Sequence, residues 1–139
     1  MNKLMIVSHG ISRLGGIQEV SRQVVECLRG QKNLQVVALD IGTTIPSRIR
    51  ALILISLWIL RSRSIVVMHA AILERYVPTF VLNLTHSKIF VWAHGIEVWG
   101  KYGKKQTSKL PYATKVIAVS RFTKTQLLIN YPTLSVTVI

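Results

Sequence analysis

Residues Lys88–Gly100 read KIFVWAHGIEVWG, and the rest of the chain is ordered around this stretch. Ile89, Phe90, Val91, Trp92 and Ala93 form an unbroken β-prone apolar run, the pattern of a strand covered on both faces in a parallel sheet. His94 and Gly95 follow at once, and then Glu97. Titratable groups therefore stand where a central strand reaches its carboxyl end and the backbone turns. Open α/β sheets bind their ligands at that edge.

Outward from this strand two periodicities alternate. Lys3–Ser8 is a short apolar strand, and His9–Gly16 a polar, glycine-bearing loop. Ile17, Val20, Val24, Val25 and Leu28 then recur at helical spacing, with Glu19, Arg22, Glu26 and Arg29 on the opposite side and Gly30 as terminator. Leu34–Leu39 is a second strand, closed by Asp40 and the turn-prone residues Gly42–Pro46. The segment from Ser47 to about Arg63 is predicted to be a helix capped by Ser47. Ile65–Met68 is a third strand ending at His69, and Ala71–Leu84 is helical around Pro78. Beyond Gly100, Lys101–Lys109 is polar and basic and is expected to be an exposed loop. Lys115–Val119 is a fifth strand, Ser120 caps a helix that Pro132 stops near Tyr131, and Ser135–Ile139 begins one more strand. The sum is an α/β domain: a parallel sheet with helices on both faces and right-handed crossovers.

Composition bounds the partners. The 139 residues suffice for one domain with one core, and half of them are hydrophobic. Eighteen lysines and arginines against five acids give a formal charge of +13, which favours contact with phosphates, anionic lipid or nucleic acid. No aromatic-rich basic sheet motif, zinc spacing or basic recognition helix is present, which argues against specific nucleic-acid recognition. Cys27 is the single cysteine, so no intramolecular disulfide can form, a cysteine-based zinc site is not supported, and a cytosolic setting is expected. Met1–His9 is too short for a secretory h-region with a cleavage site. Ala51–Leu60 is the longest apolar segment, but ten residues bracketed by Arg48, Arg50, Arg61 and Arg63 cannot span a bilayer. That helix has two readings: ordinary burial against the sheet, or contact with an anionic membrane surface.

Gly10, Gly15 and Gly16 lie between the first strand and the first helix, where backbone amides at a helix N-terminus face an anion with no side chain in the way. Gly10 and Gly15 match the outer glycines of a Walker A loop. Gly16 and Ile17, however, stand where that loop needs lysine and Ser/Thr, so ATP hydrolysis is not expected. The spacing is not GxGxxG either, and a tight turn is the plain alternative.

Four segments in order, LGGIQEVSRQVVECL (Leu14–Leu28), IVVMHA (Ile65–Ala70), VWAHGIEVWG (Val91–Gly100) and ATKVIAVSRFTKTQL (Ala113–Leu127), resemble successive signatures of the N-terminal domain of GT-B glycosyltransferases of the family-four retaining type. SVTVI (Ser135–Ile139) resembles the strand that in such enzymes runs into a Pro-Asn-Gly linker and a second domain. The resemblance implies a Rossmann-like domain, one half of a GT-B fold. Its first half binds the acceptor, and its second half the nucleotide-sugar. The implied activity is transfer of a sugar from a nucleotide-sugar to a glycan or lipid-linked acceptor in cell-envelope or polysaccharide biosynthesis. The setting would be cytoplasmic, at the inner face of the membrane, with neither metal nor other cofactor.

Carried over residue by residue, His94 contacts the donor sugar near the reacting carbon as the catalytic residue, and Gly15 and Gly16 approach the donor diphosphate. Glu97 shapes the acceptor side or holds the His94 loop, and Ser120 with Arg121 caps the last helix near the cleft. The basic diphosphate clamp and paired-glutamate motif of the family's second domain are not in this sequence. The expectation is therefore a fragment, a truncated product or one subunit of a split enzyme, with a second-domain partner chain. The alternative class is a non-catalytic membrane-surface or polyanion-binding module.

Each site residue also has a plainer reading. His94 can be a structural histidine bonded to backbone, and His9 and His69, which end strands at the same edge, read as structural. Glu97 can pair with Lys101 or Lys104 as a surface ion pair of small energy. Trp92 and Trp99 read as packing residues rather than sugar-stacking platforms.

Overall fold

A computed structural model describes residues 2–10, 15–61, 63–99, 103 and 105–139. The apolar runs become strands and the amphipathic stretches helices: β1 (Asn2–His9), α1 (Gly16–Arg29), β2 (Leu34–Ile41), α2 (Ile45–Leu60), β3 (Ser64–Val67), α3 (Ala70–Tyr76), α4 (Thr79–Leu84), β4 (Ile89–Ala93), a 3-10 turn at Leu110–Tyr112, β5 (Lys115–Ala118), α5 (Arg121–Asn130) and β6 (Val136–Val138). All six strands pair in parallel, in the order β2-β1-β3-β4-β5-β6.

That order dictates which face each helix covers. The connection from β1 to β2 runs one way across the sheet and every later connection runs the other way. Right-handed crossovers therefore put α1 on one face and α2 to α5 on the opposite one. Packing follows this rule. On the crowded face Ile55 and Ile59 of α2, Ile72 and Leu73 of α3, Val81 of α4 and Leu127 of α5 share a core with Val7, Ile65, Val67 and Val91 of the sheet. On the other face Val25 of α1 buries against Leu4, Ile6, Val66 and Met68, with Val20, Val24 and Leu28 alongside.

This arrangement corrects the expectation for β4. Its residues alternate: Ile89, Val91 and Ala93 are buried, while Phe90 and Trp92 are half-buried. Only the crowded face of β4 is fully covered, because the α1 crossover leads away from it toward β2. The strands buried on both faces are β1, where Leu4 through Ser8 are all buried, and β3, where Ile65 through Val67 are.

Three local expectations are also revised. The N-cap of α2 is Thr44, whose Oγ1 accepts from the Ser47 amide at 3.4 Å; the Ser47 hydroxyl turns back to accept from the Gly42 amide at 2.8 Å. Proline is favoured in a first helical turn, where its missing N–H costs nothing, so Pro46 moves the start of α2 upstream of Ser47. Ala71–Leu84 is two helices rather than one, broken at Val77, which is extended (φ −121°, ψ 109°) because the residue before a proline is pushed out of the helical region. The segment after Gly100 is not simply an exposed loop. Thr107 is buried and donates to the Gly103 carbonyl at 2.6 Å, and Lys109 Nζ donates to the Glu74 and Val77 carbonyls at 2.6 and 2.7 Å, closing the end of α3. Lys101, Tyr102 and Lys104 lie outside the described residues.

Candidate functional site

The carboxyl ends of β1, β3 and β4 each deliver a histidine to one edge of the sheet: His9, His69 and His94. After β4 the chain reverses at Gly95, whose φ of +113° is open to glycine and strained for other residues. The Val98 amide donates to the Gly95 carbonyl at 2.8 Å and closes the turn. The turn swings Glu97 back under the strand end. Its Oε1 accepts from the His94 amide at 2.8 Å, and the side chain is almost fully buried. Glu97 is therefore not half of a surface ion pair, and the lysines considered for that pair, Lys101 and Lys104, lie outside the described residues.

His94 itself is half-buried, with Nε2 2.9 Å from the Met68 carbonyl at the end of β3. A carbonyl only accepts, so Nε2 carries the proton in this contact and the lone pair of the neutral ring sits on Nδ1. No described residue hydrogen-bonds Nδ1. The His94 ring stacks on His69, with centroids 6.2 Å apart and planes 20° from parallel.

His69 is held in turn by its own helix. Its Nδ1 accepts from the Ala71 amide at 3.2 Å and caps α3. The neutral ring's proton is therefore on Nε2, which faces Glu97 Oε2 at 3.7 Å. That distance is too long for a hydrogen bond, and among the described residues Oε2 has no hydrogen-bond partner. Burial pushes the His69 pKa below its ordinary value, against the pull of Glu97 and with help from His94, His9 and Arg75. His9 is also lowered, first by burial, and its ring lies 5.7 Å from that of Tyr76. Desolvation outweighs Glu97 at His69, and at His9 it outweighs the Ile41 backbone hydrogen bond and Asp40, so both rings stay neutral at pH 7.

The first turn of α5 closes the other side. Ser120 caps the helix, its Oγ accepting from the Thr123 amide at 3.0 Å. A Cβ on Gly95 would come within 3.1 Å of Thr123 Oγ1 and 2.7 Å of Trp99 Cζ2, so the β4 turn fits against this helix only as glycine. Trp99 meets Phe122 edge to face at 5.3 Å, and both rings are partly exposed. Trp92 lies elsewhere, half-buried on the α1 side, and its indole N–H has no partner among the described residues. Arg121 is exposed.

The glycine loop reaches the same edge by a different route. Gly15 precedes α1 with φ +156°, and among the described residues no side chain caps that helix. The space a Gly16 Cβ would occupy is open, whereas the Gln18 side chain lies against Gly15 and fills the space a Cβ would take there. Ser21, one turn further on, bonds the Ser8 hydroxyl at 3.0 Å and fixes α1 to the carboxyl end of β1. The loop residues Ile11–Leu14 lie outside the described residues. The structure thus joins His94, Glu97, His69 and, through Gly95 and Thr123, Ser120. Among the described residues no hydrogen bond or ring contact joins this group to Gly15 or Gly16.

His69 and Thr123 were not singled out as site residues by sequence. A histidine at the end of β3 matching that at the end of β4 was the available signal for the first. Thr123 carried none, because a threonine three residues after a capping serine is ordinary helix chemistry.

No protein-family model matches the chain, and no curated protein matches it. One solved structure, a lipopolysaccharide outer core galactosyltransferase, WaaB, in its apo form, superposes with a TM-score of 0.62 at 16% identity. The match covers 93% of this chain and 42% of that one. The fold resembles one Rossmann-like half of a GT-B glycosyltransferase. The chain spans less than half the length of the galactosyltransferase it matches.

Proposed function

We propose that this chain is the acceptor-side half of a retaining glycosyltransferase of the family-four type. Paired with a donor-binding domain, it moves a sugar from a nucleotide-sugar to a glycan or lipid-linked acceptor in cell-envelope or polysaccharide biosynthesis. The fold likeness over 93% of the chain carries this reading. The titratable cluster at the carboxyl edge of the sheet supports it, since that edge is where α/β domains hold ligands.

In this reading His94 meets the donor sugar, held by its Nε2 bond to the Met68 carbonyl and by the Glu97 grip on its amide. Gly15 and Gly16 approach the diphosphate, whose developing charge on departure calls for preorganised donors, once the Gln18 side chain moves off Gly15. Ser120 and Arg121 border the cleft, and no metal is assigned. Joined to a donor-binding second domain, the chain should release nucleoside diphosphate from a nucleotide-sugar when acceptor is supplied, with product of the donor's anomeric configuration. The 139 residues alone should not. Turnover by the chain alone would sink the half-site reading, inverted product the retaining one, and silence with every second domain and donor tried the transferase reading itself.

A further inference from the structure

Two aromatic rings reach into water beside His94. Trp99 is 44% exposed and Phe122 57%, and the two meet edge to face with centroids 5.3 Å apart and planes 72° from each other. An edge-to-face pair covers one of its four ring faces, so the contact leaves aromatic face open, and Trp99 is only in part the packing residue that its sequence suggests. Both rings stand on fixed backbone. The Val98 amide closes the Gly95 turn on the Gly95 carbonyl at 2.8 Å, and Trp99 lies so close over Gly95 that a Cβ there would meet Cζ2 at 2.7 Å. Phe122 stands in the first turn of α5, which Ser120 caps through the Thr123 amide at 3.0 Å. Leaving two large rings in water forgoes the free energy of burying them, and a fixed, exposed aromatic patch marks a binding surface.

Size and chemistry select the occupant. At these exposures the two rings offer about 150–250 Å² of aromatic surface, far below the roughly 800 Å² per partner of a stable protein interface, but enough for one sugar ring. The faces of an aromatic ring carry the negative side of its quadrupole. A pyranose presents the matching surface, with weakly positive C–H bonds on its flat faces and hydroxyls around its rim that donate or accept. Groups for that rim adjoin the patch. His94, one residue before Gly95, bonds Met68 through Nε2 and keeps the Nδ1 lone pair free of described partners. Arg121, next to Phe122, is exposed and forms no ion pair among the described residues. We infer that Trp99 and Phe122 form a stacking platform for one pyranose ring, whose rim hydroxyls lie next to the free His94 lone pair and the Arg121 guanidinium. Which sugar this is rests on the proposed function: with His94 on the donor sugar, the ring on the platform is the acceptor's.

NMR of the full chain tests it, because its tryptophans are Trp58, Trp92 and Trp99 and two of them serve as controls. Methyl β-D-galactopyranoside or methyl β-D-glucopyranoside should shift the Trp99 indole N–H and the Phe122 amide, saturating in the millimolar range. Trp58, whose N–H bonds the Ser64 carbonyl at 2.9 Å, and Trp92, on the α1 side, should not move. Uridine at the same concentration should shift neither reporter. Trp99→Leu, which keeps an apolar side chain without a ring, should weaken binding read at Phe122 about tenfold, and Trp99→Phe should restore most of it. Phe122→Leu, from a different element, should weaken binding read at Trp99. Joined to a donor-binding domain, Trp99→Leu should raise the acceptor KM about tenfold and leave the donor KM unchanged. No shift with either glycoside, an equal shift with uridine, or parental binding by Trp99→Leu would overturn the platform. Transfer by the joined protein with an acceptor KM that Trp99→Leu does not move would also overturn it and leave the transferase standing. Glycoside binding at Trp99 in a joined protein that transfers nothing would refute the transferase and uphold the platform.

Discussion

Replacing Gly95 with alanine tests the turn on which both His94 and Glu97 depend. At φ +113° an L-residue is strained by roughly 1–3 kcal/mol. The new methyl would also lie 2.7 Å from Trp99 Cζ2. Trp99 is 44% exposed and can swing away, at the expense of its edge-to-face contact with Phe122, worth about 0.5–1.5 kcal/mol. Alanine lowers the entropy of the unfolded chain and returns about 0.4–1 kcal/mol. The balance is a destabilisation of about 0.5–4 kcal/mol, centred near about 2 kcal/mol. For 139 residues the unfolding entropy is about 0.29 kcal/mol/K, so Tm should fall by about 2–14 °C, centred near about 8 °C. Calorimetry of Gly95→Ala beside Gly95→Ala/Trp99→Ala separates the two causes. If the clash dominates, the double variant costs less than the sum of the two single variants; if backbone strain dominates, the two costs add. A single variant melting within 2 °C of the parent would refute the claim that this position requires glycine.

Other perturbations probe the same cluster. Glu97→Gln keeps an oxygen for the His94 amide but removes the charge that raises the His69 pKa, so the His69 titration followed by NMR should move to lower pH; an upward move would mean the two side chains are not neighbours. Because His69 is neutral when folded and its pKa is lowered from 6.5, the unfolded chain takes up protons first on acidification. Stability is therefore full above about pH 6.5 and should decline as pH falls through and below that value. His69→Asn, which retains a side-chain cap for α3, should flatten that decline while leaving Tm at pH 7.5 nearly unchanged, and an equally steep decline would shift the effect to His9 or elsewhere. His94→Ala should cost only about 1 kcal/mol, the worth of its bond to Met68. In a complex with a donor-binding domain it should nevertheless lower turnover by about 100-fold or more; a large loss of Tm with activity retained would make this histidine structural.

Much of the fold was written in local patterns. Six apolar runs, two amphipathic helices bounded by Gly30 and Pro132, and the Ser120 cap depend on a few adjacent residues, so the α/β order and the positions of the strand ends were legible along the chain. What depends on strand order was not. The placement of α1 by itself on one face, which leaves Phe90 and Trp92 of β4 half-covered, follows from β2 lying on the far side of β1. The burial of Glu97 arises because Gly95 turns it beneath β4, toward a histidine 28 positions earlier in the chain. The outer side of α2 reads in sequence as one more apolar helix; only the packed sheet shows which half of it is used and which half is left in water. Helical and strand periodicity is short-range physics carried by neighbouring residues, whereas the site edge and the exposed face are set by contacts between segments tens of residues apart, which the parallel crossovers alone bring together.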